Sequence, residues 1–409
     1  MSDIKIQPSA TGSGTVTITA PTTNTARVIT LPDSAGTLLD ENSSVPSANL
    51  TGTVVDARIS ALTASKLTGD LPAISGVNVT NVHAVNSGRK NLIINGGFDV
   101  AQRATSATGL GSASGYFTLD RWNVTTSTTG RFTMSQSTDA PIGFSKSMKL
   151  DCTTADTSIA ANEYSVLGQV IEAQNIQGMA RGTSGAKEVT VSFYVKGNAS
   201  TTYVCELQGE GRDLSKTFNV TTAWEKVELT FPADTNAAAA PTYDNTAGIY
   251  LYIWVQAGST YSGGSAIPTA WADQPNANRC VGIGNFFSST SNELYMTGVQ
   301  IEVGSVATDF EHRSYGEELA LCQRYFSRQT NLWSDTGGTS GHRFAPRIFY
   351  PVTMRSVATV TLSSVTTSNM TAPTPNAMSK DGTVLYANLT TTTVDGSFTV
   401  GVLTADAEL

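Results

Sequence analysis

The sequence predicts a mainly β protein, and three observations lead there. Short runs alternate apolar and polar residues: VTVSFYV at 189–195, VELTF at 227–231 and IYLYIWV at 249–255. Period-two alternation puts successive side chains on opposite faces of a strand, as in a half-buried sheet. Gly, Asn, Ser, Thr and Asp fill the gaps between the runs and read as turns. Only 14% of residues are charged, against about a quarter in an average soluble domain. Thr, Ser, Asn and Gly must therefore cover the surface, and these residues suit strands and turns better than helices. Many short strands joined by turns suggest a sandwich of antiparallel sheets.

In chain order, residues 1–45 form a first β module. GTVTITAP at 14–21 alternates cleanly, and residues 33–36 (DSAG) make a turn within ARVITLPDSAGTLLD at 26–40. About forty residues are marginal as an independent core, so pairing with copies or with a partner is expected. Residues 46–89 carry an imperfect repeat, NLTGTVVDARIS from 49 and KLTGDLPAISG from 66, with a looser copy VNVTNV at 77–82. Its apolar residues follow no helical or strand period, and one chain cannot bury them alone. Three intertwined chains would bury them on a shared axis, giving a trimeric shaft. The competing reading is an extended linker, although linkers are usually poor in Leu and Ile.

Residues 90–313 hold the long β stretch, read as a central jelly-roll sandwich. Residues 237–241 and 261–275 lack alternation and read as loops, where binding residues commonly sit. Residues 314–329 change character. Leu319, Cys322 and Phe326 recur at i, i+3 and i+7, with Glu317 and Glu318 early and Arg324 and Arg328 late. The spacing predicts one short helix over 315–328, its charges matched to the helix dipole. Residues 330–409 return to strands and are enough for a small C-terminal sandwich.

Several ordered motifs carry a resemblance. NLIINGGFDVAQR at 91–103, LDRW at 119–122, VSFYVKG at 191–197, AWEKVELTF at 223–231 and TGVQIEVGSVATDFEHR at 297–313 together resemble a jelly-roll module of tailed-phage tail fibres. That module is itself similar to carbohydrate-binding modules. LPDSAGTLL at 31–39 resembles a segment found near the N-termini of phage fibre and tail proteins, and the LTG repeats resemble fibre shafts. FYPVTMRSVATVTL and the closing ADAEL resemble a C-terminal domain that often follows CQRYF in such proteins. The resemblance implies a virion protein made in the host cytoplasm. It would be a homotrimeric tail fibre that joins other tail or baseplate proteins through residues 1–45 and attaches to host cell-surface glycans. A head fibre, decoration protein or tail connector with a purely structural role would use the same folds, because fold does not fix function.

Composition and motifs narrow the chemistry. The net charge is −8 with no basic run, which argues against a nucleic-acid partner. No secretory signal and no run of 18 apolar residues is visible, so membrane insertion is not expected. Cys152, Cys205, Cys280 and Cys322 are widely spaced and read as buried thiols rather than metal ligands or a disulfide framework. His83, His312 and His342 lie far apart, and no hydrolase elbow, phosphate loop or zinc motif occurs. Carboxylate pairs such as Glu206 and Glu210, Glu225 and Glu228, or Asp234 and Asp244 arise by chance in any β protein of this size. The expectation is a binding protein, not an enzyme.

Two candidate sites remain. Sugar-binding modules of this kind often hold a structural calcium near the opening segment, and Asp99 in NGGFD would be a hard oxygen ligand. The last strand departs from that pattern, with Thr297 and Gly298 where an acidic residue would stand. Sugar binding itself relies on aromatic faces beside orienting polar groups. Tyr243, Tyr261, Trp271 and Trp333 fall in loop-like stretches, with Asp273 following Trp271. Trp271 reads equally well as a packing residue. Trp122, Phe193, Trp224 and Trp254 lie in strand-like alternation and are expected in the core.

Overall fold

Twelve strands organise the central part of the chain. They are β1 (Ser106–Leu110), β2 (Gly115–Tyr116), β3 (Asn123–Ser127), β4 (Arg131–Ser137), β5 (Ser147–Thr154), β6 (Tyr164–Glu172), β7 (Val189–Gly197), β8 (Thr201–Gly209), β9 (Arg212–Val220), β10 (Glu225–Phe231), β11 (Ala247–Ala257) and β12 (Glu293–Val303). This is a computed structural model. It describes residues 89–409 apart from 274, 393 and 394, together with residues 11, 12 and 26. The expected N-terminal module and LTG shaft lie outside the described residues, save at those few positions.

The strands form two antiparallel sheets, ordered β1-β4-β5-β12-β7-β10 and β2-β3-β6-β11-β8-β9. Eight of the eleven connections cross between the sheets, while β2–β3, β4–β5 and β8–β9 are neighbours within one sheet, which is jelly-roll wiring. The alternating apolar residues meet between them. Val191, Phe193 and Val195 of β7 face Cys205 and Leu207 of β8 and Leu251 and Ile253 of β11 in one buried cluster. Trp122 and Phe193 belong to that core, whereas the Trp224 ring is half-buried at the surface and donates from Nε1 to Asp139 Oδ1 at 3.0 Å.

The opening motif NLIING is the hub of this sandwich. Asn95 sits at φ 58° and is fully buried. Its Nδ2 donates to Val100 O at 2.8 Å and Asp120 O at 3.0 Å, and its Oδ1 accepts from Val100 N at 3.0 Å. A Cβ on Gly96 would lie 2.1 Å from Val299 O, so the backbone approach to β12 requires glycine there. The closing motif returns to the same place. Arg313 donates to Ile93 O and Asn91 O, and Glu311 accepts from Asn91 N. The two ends of the long β stretch therefore clamp each other. Asn95→Ala is expected to lower unfolding free energy by about 2–4 kcal/mol, because Val100 N and Asp120 O lose their partner and Val100 O keeps only Asp120 N. Chemical denaturation measures it.

Helix α1 (Ser259–Ser262) lies between β11 and β12, and α2 (Tyr315–Gln323) follows the sandwich. α2 is capped by Ser314 accepting from Glu317 N. It stops five residues short of the helix expected over 315–328. The cause is tertiary. Arg324, Tyr325 and Phe326 of the CQRYF motif turn out to dock on the jelly roll. Arg324 Nε and Nη2 donate to Glu172 at 2.8 Å each, and Tyr325 Oη donates to Glu172 Oε1 at 2.5 Å. Burial alone would raise the Glu172 carboxyl, but these donors outweigh it and hold it below its ordinary range.

Phe326 opens β13 (Phe326–Thr336), followed by β14 (Arg343–Phe344), β15 (Arg347–Phe349), β16 (Thr359–Ser368), β17 (Thr374–Asn376), β18 (Gly382–Asn388) and β19 (Gly396–Asp406). One sheet runs β13-β19-β16. In the other, β18 pairs with β14, β15 and β17. Met354, Leu385, Phe398, Val400 and Leu403 fill the small core.

Candidate functional site

Strand β11 has two faces of different character. Ile249, Leu251, Ile253 and Val255 point into the core, whereas Tyr250, Tyr252 and Trp254 point away from it. Register extends that second face across the sheet in rows. Thr125, Val166, Trp254, Val204 and Thr217 share one row, and Asn123, Gly168, Tyr252, Glu206 and Ser215 share the next. Val170, Tyr250, Gln208 and Asp213 make the third. Gly168 makes the middle row deep. A Cβ there would lie 2.9 Å from both Asn123 Oδ1 and the Tyr252 ring.

The loop over residues 258–284 folds onto the β8–β9 half of this face. Arg279 holds it by a two-point ion pair with Glu206, Nε to Oε2 at 2.9 Å, while Ser215 Oγ donates to the same oxygen at 3.1 Å. Burial would lower the Arg279 pKa, but Glu206 outweighs it and raises it. Backbone pairing of Asp213 with Ala272 adds a second anchor. Between the loop and the β3–β6 half remains a cavity of about 160 Å3, enough for a ring-sized ligand. Tyr164, Trp254 and Tyr261 form an aromatic cluster at one end, with ring centroids 5.3 to 6.1 Å apart. Tyr252, Gln208 and Thr125 line the rest. Burial, with Tyr250 and Glu206 nearby, pushes the Tyr252 hydroxyl up, so it stays neutral. Trp254 Nε1 and Asn123 Oδ1 are buried without a hydrogen-bond partner among the described residues. A wider recess of about 430 Å3 at the outer edge of β9 and β10 is lined by Leu214, Lys216, Leu229, Ile267 and Pro268, without an aromatic ring.

Of the residues singled out in the sequence, Tyr261 lines the aromatic cavity. Trp271 and Asp273 belong to the same loop. The Trp271 indole is packed, with Nε1 donating to Pro232 O at 2.7 Å and the Arg181 guanidinium 4.6 Å above its ring, and Asp273 is exposed. Tyr243 lies before β11 and is 38% exposed, while Trp333 stands on β13 at 64%. Trp254 is buried as expected, but beneath the loop on the outward face rather than between the sheets. Reading IYLYIWV as one aliphatic and one aromatic face would have found Tyr252 and Trp254. Asp99 is exposed and accepts from Ser145 Oγ at 3.0 Å. Thr297 Oγ1 donates to Lys146 O at 2.8 Å. Among the described residues no three His, Cys, Asp or Glu side chains gather to hold a metal. Glu206 and Asp234 are each tied to arginine.

Asp213 gives the site a pH dependence. Burial, then the Glu206 charge, push its carboxyl up to about 7. The folded chain thus holds this proton to higher pH than the unfolded chain, whose carboxyl titrates near the ordinary 3.8. The stabilising contribution is full below about 4 and is lost as pH rises through about 7. Asp120, raised to about 6 chiefly by burial, acts in the same direction. Asp213→Asn is expected to flatten the decline between pH 5 and 8 by about 1–2 kcal/mol. Melting curves of both proteins across that range measure it.

No protein-family model and no curated protein sequence matches the chain. Among solved structures it is similar to a putative sugar binding protein from Bacteroides thetaiotaomicron, at 14% identity over 52% of this chain and 100% of that one, with a TM-score of 0.29. It is also similar to a family 11 carbohydrate-binding module from Clostridium thermocellum in complex with a β-1,3-1,4-mixed-linked tetrasaccharide (10% identity, 51% and 99% covered, TM-score 0.24). A third is a xylan-binding domain from Paenibacillus barcinonensis (11% identity, 45% and 87% covered, TM-score 0.24). The ladder pairing described above, not these scores, defines the fold: a mainly β chain built on a jelly-roll sandwich.

Proposed function

We propose that this chain is a non-enzymatic glycan-binding protein of a tailed-phage virion, acting as a homotrimeric fibre in host attachment. The aromatic cavity on the second sheet carries the binding part of this reading. It offers ring faces for the apolar side of a sugar and the polar side chains of Gln208 and Thr125 for its hydroxyls. Glu206, paired with Tyr252 in the ladder, is committed to Arg279 and is not free for acid–base work. The virion and trimer parts rest on the sequence resemblance and the LTG repeats. Modest affinity per site would be raised by three copies acting together. Light scattering on the full chain tests the assembly: one copy is 42.9 kDa, so three give about 129 kDa. A monomer at all concentrations contradicts the fibre reading. Adhesion of the purified protein to host cells tests attachment.

A further inference from the structure

The cavity has walls where an open cleft would have exits, and this bears on which part of a glycan it can hold. On the β8–β9 side the face is sealed. Val204 and Glu206 are 0% exposed, Ser215 4% and Asp213 6%, all beneath residues 258–284. The seal is an ion pair, because Arg279 bridges from the loop to Glu206 and its guanidinium lies 4.9 Å over the Trp254 ring. Ile267 and Ile283 of the loop pack against the same apolar cluster as Val204 and Trp254. Along the strand direction, Tyr164 and Tyr261 meet edge to face at 5.3 Å and close one end. The β3–β6 half differs, since Asn123, Thr125 and Tyr164 there remain half-buried at the mouth.

A glycan threading through the site by an internal ring needs two exits. A chain crossing the rows meets the Arg279–Glu206 wall, and a chain following β11 meets Tyr164 and Tyr261. We infer that this site takes the terminal ring of a glycan, end-on, and not an internal ring of a longer chain. This rests on the glycan-binding reading above. The polar side chains available to that ring are Gln208 and Thr125, which line the cavity. Hydrogen-bonding groups in a closed pocket discriminate strongly, because a ligand that lacks their partner leaves them unpaired.

The test is an array of oligosaccharides tethered at their reducing ends, probed with the full chain. Each glycan is shown intact, trimmed of its outermost ring by an exoglycosidase, and extended by one ring. The expected result is that bound glycans lose about tenfold or more in affinity on both trimming and extension. A bound glycan that keeps its affinity within about twofold through both changes overturns end-on recognition and leaves glycan binding standing. A blank array overturns both readings. Repeating the array with Tyr252→Ala places the binding: hits that survive it lie outside this cavity and overturn the inference.

Discussion

Arg121→Ala is expected to remove about 3–5 kcal/mol of stability, the usual cost of stranding one member of a buried ion pair. The Arg121 side chain is 1% exposed and Glu408, its partner, 5%. Arg121 Nη1 donates to Glu408 Oε2, Nη2 donates to Val170 O, and the guanidinium lies 3.5 Å over the Tyr325 ring. Arg103 approaches the same carboxylate at 3.3 Å and covers Phe326 at 3.7 Å. Arg355 holds the backbone of Ala407 and Glu408, and Tyr116 Oη donates to Leu409 O at 2.9 Å. One cluster thus fastens the end of β19 and the CQRYF segment to the jelly roll. The double variant Arg121→Met with Glu408→Gln removes both charges and should recover much of the loss. Urea unfolding measures both. A loss under about 1 kcal/mol for the single variant would mean that the cluster does not hold the two sandwiches together.

The second large effect concerns binding. The double variant Tyr252→Ala, Tyr261→Ala is expected to weaken glycan binding by about a hundredfold, or ~2–3 kcal/mol. Both rings line the cavity and both are half-buried, so the fold should survive their truncation. Trp254 is a poorer test, because at 3% exposure its loss would also leave a void. Trp271→Ala should act on stability instead, since that indole is spent on Pro232 and Arg181. Titration of an array hit against each purified variant, with melting temperature as the folding control, separates the two.

Much of the strand pattern was legible in the chain. Period-two runs such as VTVSFYV became β7, and the loops over 237–241 and 261–275 stayed loops apart from single short helical turns. What the pattern could not show was depth. Alternation says that Trp254 and Ile253 face opposite ways, not which face a later loop will cover. The covering depends on Arg279 meeting Glu206, 73 residues away. The helix over 315–328 failed at its end for the same reason. Arg324 and Tyr325 have adequate local helix chemistry but find Glu172 far off in the chain. Trp271 was ambiguous in sequence because a Trp in a loop can present its ring or bury it, and Arg181 and Pro232 decide that only in three dimensions.

The most direct measurement is a crystal structure of the chain with the tightest glycan found on the array. One sugar ring is expected between Tyr252 and the Tyr164–Trp254–Tyr261 cluster, with a hydroxyl on the Gln208 side chain and the remaining rings leaving over β3. A glycan bound elsewhere, at Trp333 or in the recess beside Lys216, with this cavity empty, would contradict it.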